Sequence, residues 1–111
     1  MSSGRLPAHV EVGAILRAAQ KAGGFAAVLA RGDRDAGTIL LVTRDREGVE
    51  QLWERRPSLE GDRAFHRISF AQNRDSDVAN YVSRRRDRDA DLWVVEVDIA
   101  DGQRFVANWG T

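Results

Sequence analysis

The chain has 111 residues, 42% of them hydrophobic and 31% charged, with 17 basic and 17 acidic side chains and no cysteine. That suits one globular domain burying roughly 65% of the surface its unfolded chain exposes, and a net charge of zero supplies no global field toward nucleic acid or an anionic membrane. Without cysteine, disulfides, thiol nucleophiles and thiolate zinc sites are excluded.

The start, MSSGRLPAHVEVG, lacks the continuous apolar core of a signal peptide, and no stretch approaches the roughly 18 apolar residues of a membrane span. A cytoplasmic single domain over 1–111 is expected, with 1–6 a flexible tail and no membrane partner. From Pro7 to about Ala22 the residues Val12, Ile15, Leu16 and Ala19 recur at helical spacing, with Glu11, Arg17, Gln20 and Lys21 mostly on the other side. Pro7 suits the first turn, and Gly23-Gly24 supplies the left-handed cap that ends the helix.

Three apolar runs follow, Phe25–Arg31, Thr38–Arg44 and Val49–Arg55, separated by GDRDAG and DREG. They read as a three-stranded meander. The first two runs are apolar on both faces and predict inner strands; the third mixes Leu52 and Trp53 with Glu50, Glu54, Arg55 and Arg56 and predicts a strand near an edge, ended by Pro57. Ala64 to Phe70 alternates as a fourth strand, with His66 beside Ile68. Asp75, Ser76 and Asp77 then stand where a helix start favours acceptors, and Arg84, Arg85, Arg86 and Arg88 where its C-terminal dipole favours cations. Val78, Tyr81 and Val82 are the stripe this helix buries. Leu92 to Val97 is the strongest strand signal and belongs inside the sheet, where it can pair parallel to an earlier strand. Arg104 to Trp109 closes the chain as a short helical turn or arm.

The order of RLPAHVEV, GDRDAG between two strands, the RRR run and DLWVVEVDI resembles a family of small bacterial proteins, domain of unknown function 1491. The likeness covers nearly the whole chain. It implies a single-domain bacterial architecture, and it carries over neither an activity nor a catalytic residue.

No complete catalytic, metal or phosphate-binding motif is present. Asp33 and Asp35 alternate in a loop as cation ligands can, but an EF-hand register would need glycine at Thr38 and glutamate at Arg44. DRDAD fails in the same way, and both stretches read as turns, where Asp and Gly bond the local backbone. His9 and His66 have no spacing that makes them converge. Glu96 and Asp98 are two strand carboxylates open to acid–base work but lack the lysine of a nuclease-type cluster. No metal, cofactor or catalytic residue is assigned.

The expected architecture is one α+β domain, α-β-β-β-β-α-β with the C-terminal turn, the helices on one face of a mostly antiparallel sheet. Trp53, Phe65 and Trp109 exceed what a small surface leaves exposed, so a non-catalytic interaction module, homodimeric or docked on a protein partner, is the leading expectation. A small-molecule site or minor enzyme built from Arg31, Asp33, Asp35 and His66 at the first loop is the alternative. The third reading is nucleic-acid binding by Arg84, Arg85 and Arg86 with nearby Trp93.

Overall fold

The computed structural model describes residues 6–55, 64–69 and 77–109. Arg56, Pro57, the SLEGDR loop, Phe70, Asp75 and Ser76, and most of the expected N-terminal tail lie outside them. The elements run α1 (Ala8–Lys21), β1 (Phe25–Ala30), β2 (Ile39–Arg44), β3 (Glu50–Arg55), β4 (His66–Ile68), α2 (Val78–Arg88), β5 (Trp93–Asp98) and α3 (Gly102–Asn108). This is the expected α+β order, with the C-terminal segment a true helix.

Local chemistry sets the helix ends. At the close of α1, Gly23 at φ +87° donates to the Gln20 carbonyl and Gly24 to that of Ala19, the paired bonds of a Schellman cap. The Asp77 side chain caps α2 by accepting from the Asn80 amide at 2.8 Å, and Asp101 does the same for α3 through Arg104. The β2–β3 turn is held by Asp45, whose Oδ1 accepts from the Glu47 and Val49 amides.

Strand order departs from the expected meander. The sheet runs β1-β5-β2-β3-β4, antiparallel except for the central β5–β2 pair. β2 and β3 form the hairpin, but β5 lies between β1 and β2. The loop after β1 is too long for a tight hairpin and opens a gap one strand wide. Apolar on both faces, β5 fills that gap. β1 is therefore an edge strand and β3 an inner one, the reverse of their expected places.

The helices take both faces, because β2 and β5 are apolar on both. Ile39, Leu41, Trp93, Val95 and Val97 meet α1 and α3, while Leu40, Val42, Leu52 and Val94 meet α2. The charges of β3 belong to this arrangement. Glu54 binds Arg85 of α2 on one face, and Arg55 reaches Glu11 of α1 on the other. Residues that read as edge protection are ties between the sheet and its two helical layers.

Candidate functional site

On the α2 side, alternation along each strand brings together Phe25 and Ala27 of β1, Glu96 and Asp98 of β5, Val42 and Arg44 of β2, and Glu50 of β3. The ladder places Glu96 between Ala27 and Val42, and Asp98 between Phe25 and Arg44. α2 covers only the half of this face nearer β3. It is clamped there by Arg85, whose guanidinium donates to Glu54 at 3.3 and 3.1 Å and to the Tyr81 hydroxyl at 3.0 Å.

Beside the helix the face stays open as a cleft of about 750 Å³. Val42, Val82 and Leu92 make its apolar floor and wall, and Arg44, Glu50 and Glu96 line one end. Arg44 and Glu50 form an ion pair at 2.6 Å. The Glu96 carboxyl is held above the ordinary glutamate range, first by its hydrogen bond with Asp98, then by burial and by the Asp98 charge, with Arg44 opposing. The Asp98 Oδ1 is buried and has no hydrogen-bond donor among the described residues. Glu96 and Asp98 are neighbouring carboxyls on one strand face at the edge of a cleft.

The residues expected at the first loop divide. Asp33 Oδ2 accepts from the Asp35 and Ala36 amides, the turn chemistry its composition indicated. The carbonyls of Arg34 and Asp35 accept from the His9 and Ala8 amides, so the loop caps the start of α1. His9 joins this cap, its Nδ1 donating to the Arg34 carbonyl and its Nε2 accepting from the Arg34 guanidinium. Arg31 stands 5.9 Å over the Trp93 ring and lines the cleft. His66 lies on β4, at the opposite edge of the sheet from β1, roughly 19 Å away across four strand spacings. It does not converge with Arg31, Asp33 and Asp35.

Trp53, Phe65 and Trp109 do not form an exposed face. Trp53 is 7% and Phe65 9% exposed, both in the core beneath α1, and Trp53 donates to Thr43 Oγ1 at 3.0 Å. Trp109 stacks on Phe105 and donates to Glu11 Oε2 at 2.9 Å. The exposed apolar residues of the sheet are instead Phe25 and Leu29, at 59% and 53%. Among the arginines, Arg85 is spent on Glu54 while Arg86 lines the cleft, and Trp93 is 3% exposed, so its ring cannot stack on a base beside them. No group of three or more His, Asp or Glu able to hold a metal occurs among the described residues.

Sequence reasoning missed the buried pair Glu11 and Arg55 and its contact with the partly buried Trp109. It assigned Glu11 to the solvent side of α1, yet Glu11 is fully buried. The available signal was its place one residue before Val12 and four before Ile15, within the arc of the apolar stripe. It also left Glu96 and Asp98 without a setting, although their spacing of two puts both on one strand face.

Three described helices and a five-stranded, mostly antiparallel open sheet with an acidic pair at the edge of a one-sided cleft define a small α+β domain of the open-sheet class. The chain belongs to the family described as protein of unknown function DUF1491, whose model matches residues 6–107. Solved relatives agree. A DUF1491 family protein from Caulobacter crescentus CB15 is similar in its crystal structure (31% identity, 91% of this chain and 93% of that one, TM-score 0.74) and in its NMR structure (32%, 92% and 93%, 0.75). The solution structure of protein Atu0922 from A. tumefaciens is similar at 33% identity over 86% of each chain, with a TM-score of 0.71. No curated protein matches the chain.

Proposed function

We propose that the protein is a non-catalytic interaction module whose working surface is the half of the sheet face left open beside α2. The observation that carries this reading is the convergence there of Phe25, Leu29 and an apolar-floored cleft on one side of the molecule. The polar groups around it support binding over turnover. Arg44 is paired with Glu50, and Asp89 accepts from the Asp91 amide in a turn. Among the described residues no helix is long and apolar enough to cross a membrane, and with the bacterial sources of the solved relatives this supports a bacterial, cytoplasmic setting.

Titration with a panel of short apolar peptides and fragments, read by backbone amide shifts, tests the surface. Shifts are expected to cluster at Leu29, Val42, Val82 and Glu96, and to vanish in Ala79→Trp, which fills the cleft from α2. Shifts confined to the loop over 31–37 would move the site there and end this reading. A second reading is favoured by one observation, the placement of Glu96 and Asp98 on one strand face at the edge of the cleft, the juxtaposition of carboxyls that acid–base work uses. It predicts a turnover that Glu96→Gln removes, whereas a binding module keeps its peptide shifts in that variant.

A further inference from the structure

We infer that the partner of the open half-face is a second copy of this chain, joined through β1 in an antiparallel pair that sets Ala27 opposite Ala27. This rests on the reading of that face as an interaction surface and names the partner at its β1 border, where the two faces become continuous. The two edges of the sheet are built differently. β4 has three residues and carries His66 and Arg67, the short, charged form that discourages pairing. β1 has six residues, Phe25 to Ala30, and not one of them is charged. Its inner side is bonded to β5, and among the described residues no further backbone hydrogen bond reaches it. Such a strand is completed by another strand.

The side chains select the copy and the register. Across an antiparallel pair with a two-fold axis normal to the sheet, directly opposite residues share a face, so their numbers add to an even sum. A sum of 52 leaves Leu29 beyond the end of β1, and 56 leaves Phe25 unmatched. A sum of 54 puts each exposed Phe25 against the other copy's exposed Leu29 and keeps both on the cleft side. The bulge that skips Leu29 in the pairing with β5 then falls at the ends of the new ladder and leaves its centre regular. The sheet becomes ten-stranded, and the two clefts lie side by side with Leu29 of each copy at the seam.

Six residues span roughly 20 Å, so this edge buries less than the roughly 800 Å² per partner of a standard interface. A reversible dimer, dissociating in the micromolar range or more weakly, is the expectation. Sedimentation velocity from about 10 µM to about 1 mM tests it, on the wild type and on Phe25→Lys and Leu29→Glu, both at exposed positions. The wild type is expected to approach twice the monomer mass. Each variant alone should dissociate at least about tenfold more readily. Their equimolar mixture should recover the dimer, since the introduced lysine of one chain then meets the introduced glutamate of the other, while the unchanged Leu29 and Phe25 still pair. A wild type that stays monomeric at about 1 mM overturns the second copy, while the peptide titration with Ala79→Trp still decides separately whether the face binds. A dimer indifferent to both variants overturns the β1 edge, and two weakened variants that do not rescue each other overturn the register.

Discussion

Glu11 is fully buried on α1, with Arg55 Nη2 3.0 Å from its Oε1 and the Trp109 indole donating to its Oε2. The Arg55 contact is an ion pair without hydrogen-bond alignment, and neither Glu11 Oε1 nor Arg55 Nε has an aligned partner among the described residues. A buried pair held this way contributes little net stability, yet removing one member strands the other charge. Glu11→Ala is expected to cost roughly 3–5 kcal/mol in urea unfolding, and Glu11→Leu with Arg55→Met to recover most of that loss. If the single and double variants unfold alike, the two residues do not act as a pair. Glu96 presents the opposite case, a carboxyl whose charged form folding disfavours. Its value in the folded chain lies above the ordinary glutamate range, so between the two the native state binds more protons than the unfolded state. The stability it contributes is present below that range and is lost as pH rises through the raised value. Glu96→Gln keeps a neutral group in place and is expected to flatten this fall and to raise the melting temperature at pH 7. Parallel melting curves for variant and wild type across that window would dismiss the raised Glu96 carboxyl.

At the scale of elements, the loop from Arg31 to Thr38 does the most to shape the fold. Its composition announced a turn, and Asp33 makes one. What composition did not announce is what the turn packs on. The Asp33 amide donates to the Asp91 carbonyl, Trp93 N donates to the Thr38 carbonyl, and the Trp93 indole reaches the Asp33 carbonyl at 2.6 Å. The loop therefore straddles the start of β5 while its other side caps α1. A Cβ at Gly32 or Gly37 would overlap the Asp91 carbonyl oxygen, so glycine is required by close approach there and not by a left-handed φ. Gly37→Ala is expected to cost roughly 1–3 kcal/mol in thermal or urea unfolding, the range for overpacking. An unchanged midpoint would mean that the loop does not bear on β5.

For the whole molecule, much of the architecture could be read from the chain and its connectivity could not. The alternation of β1, β2 and β5, the Schellman cap at Gly23-Gly24 and the Asp77 cap were all visible, because each is written within about four residues. The sheet order was not, since β2 and β5 advertise two apolar faces without naming their neighbours. Of the aromatic surface expected at Trp53, Phe65 and Trp109, the first two are interior and Trp109 is partly buried, because two helical layers were available where one was expected. The face that remains open was hidden for the same reason, being defined by what α2 leaves uncovered.

By itself the sequence determined the kinds of elements, their ends and the single α+β domain, through periodicity and capping that act along the chain. Only the tertiary structure decided that β5 divides β1 from β2, that the charges of β3 hold two helices, and that Glu96 and Asp98 stand beside an open cleft. Those outcomes join residues as far apart as Glu11 and Trp109, 98 positions along the chain, or Glu54 and Arg85, 31 apart. A charge carries no local mark of which distant partner will neutralise it; burial makes that choice once the layers have packed.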